Sequence, residues 1–250
     1  ADCITIDNHY SEENDWHVPY NIIIDHCSLS WAIDEIIENG GDNCTFSNNI
    51  LSEALNESIH PKGAHSKGFI NLAYNEGVEG GQNVALTKNL FAFNADRNPF
   101  ISAGSAAIIN NYVYDWYFGM TVNGNSENKG PVQASISGNY LSYNSAEKYS
   151  IYMVGGLQNG TSYYIANGTN HKANYYNTRG DEIKLQTDPW PDLEYRNQAR
   201  EKSDSIAPPP EWVKVTSPPL WPSGNEEMAA LDVPNHVFEI GRASCRERVV

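Results

Sequence analysis

The residues able to do chemistry gather between Asp2 and Arg97. Asp25-His26 and the pair His60 and His65 invite a metal reading with His26 as third ligand. No spacing here matches a metalloenzyme motif such as H-E-x-x-H, and hydrogen-bonded His and Asp stacks are the expectation instead. Asp34, Glu35 and Glu38 form an acidic run that, taken alone, reads as a solvated edge of an acidic chain. Arg97 is one of only 16 basic residues and precedes Pro99, whose fixed φ rigidifies the turn carrying it. Its plain reading is a structural pair with Asp96. Trp31, Tyr114 and Trp116 suit either stacking on a sugar ring or packing in a core.

The elements that must position these residues follow from composition and repeats. The chain has 250 residues, 31 Asp+Glu against 16 Lys+Arg, a formal net charge of −15 and 40% hydrophobic residues. Charge of this sign repels nucleic acid and acidic membrane surfaces, and no apolar run approaches the ~20 residues of a membrane span. Neither nucleic acid nor membrane is expected as a partner, and the chain is expected to be a monomer.

Apolar runs recur with a polar pair between them: Asn21 to Trp31, Asn43 to Glu53, Asn83 to Phe93, Ala106 to Tyr114 and Gln133 to Leu141. The aligned corner position of these runs reads Cys27, Asn49, Asn89, Asn111 and Asn139, in steps of 22, 40, 22 and 28. The step of 40 is close to two units, with Gly68 to Ala73 as an intervening strand. Such periods, with alternating apolar residues and no helical period, indicate an all-β solenoid, a single-stranded parallel β-helix of about 22 residues per rung. Asn at the corner fits a turn and predicts a stacked Asn ladder. Cys3, Ile22 and Cys44 are expected in one buried column. A β-sandwich is the competing architecture and leaves the recurring step of 22 unexplained.

Three regions are expected: residues 1–180 as the β-helix, opening in a strand already under way and so lacking N-terminal rungs; 181–238 as a Pro- and aromatic-rich extension packing on it, with a short helix over Asn225 to Phe238; and 239–250 as a basic, non-native tail resembling a translated sequencing adapter. The tail holds Cys245, which leaves Cys3, Cys27 and Cys44 at spacings that match no zinc or redox motif. Asn43, Asn56, Asn159 and Asn167 begin formal glycosylation sequons.

Ordered motifs carry a family resemblance. Ile22-Ile23-Ile24-Asp25-His26-Cys27-Ser28-Leu29-Ser30-Trp31 followed by Asp34-Glu35 resembles the "DHCSxSWxxDE" signature of the pectate lyase family, polysaccharide lyase family 1. Ser52-Glu53-Ala54-Leu55 with His60-Pro61-Lys62-Gly63-Ala64-His65-Ser66-Lys67-Gly68, then Arg97-Asn98-Pro99, and finally the Pro-rich stretch at Trp221, are similar to later blocks of that family. The resemblance runs from residue 2 to about 238. It implies a right-handed parallel β-helix, secretion, and calcium-assisted β-elimination on α-1,4-polygalacturonate or pectin to give 4,5-unsaturated oligogalacturonides.

By position, the resemblance implies Asp2, Asp34 and Glu38 as Ca²⁺ ligands, with Glu35 the alternative to Glu38, Lys62 as a lysine binding the substrate carboxylate, and Arg97 as the catalytic base. The family's usual second arginine is replaced by Phe100 and Ser102, which implies a weaker carboxylate clamp or a preference for partly methyl-esterified pectin. The competing functions are a non-catalytic carbohydrate-binding β-helix and a polygalacturonase-type hydrolase. The latter would need grouped Asp residues as acid and base, and no Asp-Asp pair or Gly-His-Gly is present.

Overall fold

The computed structural model describes residues 1–7, 9–10, 16–73, 80–123, 130–142, 149–154, 157–166, 190, 193–196 and 209–246. Strands of two to six residues, each too short to bury anything alone, stack into three parallel sheets, an all-β arrangement consistent with a parallel β-helix. The first sheet carries the candidate chemistry. Its order is Ile4–Ile6, Glu35–Asn39, Lys67–Asn71, Phe100–Ile101, Phe118–Asn123, Tyr149–Val154 and Glu194–Arg196. The second runs from Ile23–Asp25 through Thr45–Ser47, Val84–Thr87, Gly104–Ile109 and Val132–Ser137 to Ser162–Ala166. The third stacks Ser28–Ser30, Ile50–Ser52, Leu90–Ala92, Tyr112–Tyr114 and Tyr140–Ser142.

Alternation in the strands sends one apolar column inward from each sheet. In the second sheet Ile24, Phe46, Leu86, Ile108, Ile136 and Ile165 stand in register. In the third, Leu29, Leu51, Phe91, Val113 and Leu141 do so. These columns meet in one core with Ile37, Phe69 and Trp116. Each fully buried Leu, Ile or Phe contributes roughly 1.5–3 kcal/mol.

Between the second and third sheets the buried Asn ladder is present. The backbone amides of Cys27, Asn49, Asn89 and Asn111 each donate to the side-chain oxygen of the next member, Asn49, Asn89, Asn111 and Asn139, at 2.8 to 3.0 Å. The left-handed backbone angle falls one residue earlier than the ladder, at His26, Asn48, Lys88, Asn110 and Gly138. The corner is therefore divided between two residues, one taking the strained φ and the next donating its amide to the stack.

The structure corrects three expectations. The step of 40 is one coil and not two, because Asn49 Nδ2 donates directly to Asn89 Oδ1 at 3.1 Å. Extra residues lengthen the connections, while Lys67–Asn71 belongs to the first sheet within the same coil. Cys3 is exposed and precedes the first strand of the first sheet, whereas Cys44 is buried beside the second sheet, so the two thiols share no column. The C-terminal helix spans Val233–Arg246 and not Asn225 to Phe238. Pro234, whose fixed φ suits a first helical turn, sits at its start, while Met228 upstream is held by a two-way pair of hydrogen bonds to Asn110. Val233, Val237 and Ile240 pack on Tyr112 and Tyr140 of the third sheet. Of the expected 181–238 extension, residues 181–189, 191–192 and 197–208 lie outside the described residues; among the others, Trp190, Leu193 and Val213 join the main core.

Candidate functional site

The first four strands of the first sheet and the turns leading into them bring the charged residues together. Asp2 precedes Ile4–Ile6, and Glu35 and Glu38 lie on the adjacent strand, so neighbouring coils place three carboxylates side by side. One oxygen from each lies within 4.8 Å of the others. Asp2 is fixed by two donors: the Thr5 hydroxyl to Oδ2 at 2.8 Å and the Glu35 amide to Oδ1 at 3.0 Å. Burial pushes the Asp2 carboxyl above its ordinary value; the Thr5 hydrogen bond opposes this and the charge of Asp34 adds to it. An oxygen-only donor set suits a hard divalent cation such as Ca²⁺, so these residues fit the ion the family resemblance implies.

Opposite them stand two cations. The Arg97 guanidinium is ion-paired through Nη1 with Glu35 Oε1, whose side chain is 3% exposed. Lys67, in register with Glu35, pairs with Asp96 Oδ2 at 2.9 Å, while Asp96 Oδ1 accepts the Arg97 amide at 2.7 Å. Arg97 takes a left-handed backbone (φ 62°), and its carbonyl accepts the Phe69 amide at 2.7 Å. This close approach is possible because the neighbour on the strand is Gly68: a Cβ there would lie 2.6 Å from the Arg97 carbonyl oxygen. Phe100 stacks beneath, with Arg97 Cζ 5.7 Å from its ring centre.

Asp34 is placed differently from Asp2 and Glu38. Its Oδ2 is 3.0 Å from His60 Nε2 and its Oδ1 2.8 Å from His65 Nε2. The two imidazoles are stacked, 4.1 Å apart and 5° from parallel. Burial pushes His65 below its ordinary value, against the pull of Asp34. Lys62 lies on the exposed turn beside His60. The acidic run is thus split: Glu35 and Glu38 face Asp2, whereas Asp34 faces the histidines. His26 lies elsewhere, bonded to Asp25 at 2.5 Å, and Asp25 in turn accepts from Ser47 and Asn48. Trp116 is core, and Trp31 is 68% exposed, its indole donating to Glu53 at 3.3 Å.

Lys67 is a member of this cluster that the sequence reading did not single out; Asp96, expected beside Arg97, is there and also pairs with Lys67. The signal for Lys67 was its pairing with Glu35 across strands, which needs the register and cannot be had from its neighbours in sequence.

No family model matches the chain. It is similar to proteins named "Probable pectate lyase C" from Aspergillus flavus (33% identical over 124 residues) and Neosartorya fischeri (35% over 123 residues). A third of that name, from Aspergillus terreus, is 34% identical over 123 residues. Each match takes in 48% of this chain and 25% or 26% of the relative, so the chain spans about a quarter of the length of the curated relatives it matches. These likenesses support a pectate lyase-like relationship.

Proposed function

We propose that this chain carries the catalytic face of a secreted polysaccharide lyase that cleaves polygalacturonate, or partly methyl-esterified pectin, by β-elimination on a right-handed parallel β-helix. The observation that carries the reading is the confluence of Arg97, Glu35 and the carboxylates of Asp2 and Glu38 on one sheet, in a chain similar to proteins named pectate lyases.

In such a reaction a base takes the C5 proton beside the uronate carboxylate, the electron pair forms the C4=C5 bond, and the C4 glycosidic bond breaks with its oxygen taking a proton. Arg97 is the group assigned to the C5 proton. It must give up its own proton first, and a guanidinium is an intrinsically weak acid, so turnover rises with alkalinity. The left-handed backbone at Arg97 and the close seat on Gly68 hold the guanidinium at one place over the sheet. Lys67 and, from its exposed turn, Lys62 supply positive charge toward a uronate carboxylate. Asp2, Glu35 and Glu38 would hold calcium, which when bound neutralises that carboxylate and makes the adjacent C–H more acidic. Asp34 acts on this set through its charge on Asp2.

A binding-only solenoid is the second reading. The specific observation for it is that Arg97 is already engaged by a buried carboxylate, and that Phe100 and Ser102, where the resembled family carries a second arginine, are both buried. Ultraviolet absorbance of an unsaturated product separates the two: a lyase generates it from polygalacturonate, and a binding-only protein retains the polymer without it.

A further inference from the structure

We propose that Asp34, His60 and His65 form a second cation site, for a divalent transition metal of the zinc class, distinct from the carboxylate cluster of Asp2, Glu35 and Glu38. The proposal stands on geometry independent of any lyase activity. Asp34 comes from the bend before the Glu35–Asn39 strand, and both histidines come from the long connection between Ile50–Ser52 and Lys67–Asn71. Both Nε2 atoms aim at one carboxylate, at 3.0 and 2.8 Å, from rings stacked face to face.

Zinc binds imidazole nitrogen and carboxylate oxygen at about 2.0–2.2 Å, so ligand atoms around one ion stand roughly 3–3.5 Å apart. The observed separations lie near that edge length, and small side-chain shifts would admit an ion in place of the two hydrogen bonds. The side chains of His60 and His65 are 7% and 12% exposed and that of Asp34 is 24%, a sheltered set open on the carboxylate side. Two imidazoles and one carboxylate suit zinc, cobalt or nickel, whereas an oxygen-only set suits calcium. The adjoining clusters are therefore sorted by ligand hardness.

The site carries its own reporter. The Lys62 amide donates to His60 Nδ1 at 3.2 Å, which leaves the His60 proton on Nε2. A metal on Nε2 moves that proton to Nδ1, where it opposes the Lys62 N–H, so loading must turn this amide away and rearrange the exposed turn of Pro61 to Gly63.

The test is titration of the full chain with Co²⁺, followed by its visible absorption, and with Zn²⁺ by equilibrium dialysis in the presence of excess Ca²⁺. The proposal expects one Zn²⁺ per chain, unaffected by calcium. His65→Ala and Asp34→Asn, each shown folded by circular dichroism, should weaken Zn²⁺ at least tenfold, while Glu38→Gln and His26→Gln leave it unchanged. Zinc should also shift the His60 ring nitrogens and the Lys62 amide in nitrogen NMR spectra, a readout that needs no variant. Stoichiometric zinc that survives in folded His65→Ala, or the absence of zinc binding and of any spectral change in the unaltered protein, overturns the proposal and leaves the cluster as a hydrogen-bonded clamp for the connection.

Discussion

The Arg97 guanidinium is ion-paired with the Glu35 carboxylate, and this pair reaches across the intervening Lys67–Asn71 strand to tie two coils that are not in direct contact in the first sheet, where its acidic and basic residues meet. Glu35 is almost fully buried and Arg97 about four-fifths so. Removing one partner strands a charge: a fully buried pair loses about 3–5 kcal/mol in this way, and the residual exposure of Arg97 places Arg97→Ala at or below the lower end of that range. Glu35→Gln with Arg97→Gln should recover much of the loss, which a double-mutant cycle by urea denaturation measures. Additive losses would show that the pair is not coupled.

Gly68→Ala probes the seat of Arg97. The added methyl would meet the Arg97 carbonyl at 2.6 Å, a backbone atom that can move only with the corner. Overpacking of this kind costs about 1–3 kcal/mol. The expected signature is a fall in kcat on polygalacturonate larger than the fall in melting temperature accounts for. Unchanged kcat would show that the position of Arg97 does not matter to turnover.

The buried ladder predicts a purely structural variant. Asn89 accepts from the Asn49 amide and side chain and donates to the Phe46 carbonyl and to Asn111, all at 2.9 to 3.1 Å. Asn89→Ala leaves several buried groups without partners at about 1–3 kcal/mol each, so a loss of roughly 3 kcal/mol or more is expected in chemical denaturation. A change under about 1 kcal/mol would contradict the ladder's role.

Two pH effects have opposite signs. Asp2 has a folded-state pKa raised by burial, so its ionisation opposes folding: stability is lost as pH rises through that raised pKa, and a bound cation should restore it. Calcium affinity should accordingly fall on acidification at a pH above that of an ordinary carboxylate, and Asp2→Asn should abolish most of the binding, as calorimetry would show. His65 and His236 have pKa values lowered chiefly by burial. The unfolded chain then binds more protons below about pH 6.5, so stability contributed by these residues is complete above that pH and declines as pH falls through the lowered values. Urea midpoints of His65→Gln with His236→Gln should be flatter across that window than those of the unaltered protein.

Much of this arrangement was legible before the structure, and the reason is periodicity. Cys27, Asn49, Asn89, Asn111 and Asn139 announce a stacked column because identical rungs must satisfy the same buried amide, and the ladder is there. Strand pairing across loops of unequal length was not legible: the 40-residue step hides a single coil, since sequence separation counts loop residues that contribute nothing to the spacing between strands. The same limit governs the site. Asp34, Glu35 and Glu38 are near neighbours in sequence, yet a bend ahead of the strand sends Asp34 to the histidines while Glu35 and Glu38 face Asp2. Lys67 joins the cluster only through register, which nothing in its local sequence encodes, whereas Asp96 is the sequence neighbour of Arg97 and was legible as its partner.

The central claim is most directly tested by ultraviolet absorbance of polygalacturonate mixed with the protein at mildly alkaline pH, with calcium and then with excess chelator. The account predicts an absorbance rise that needs calcium and falls by about 10²- to 10⁴-fold in rate in Arg97→Ala, the size expected for loss of a general base. No rise from protein whose circular dichroism shows folded β-structure, or a rise unaffected by Arg97→Ala, would contradict it.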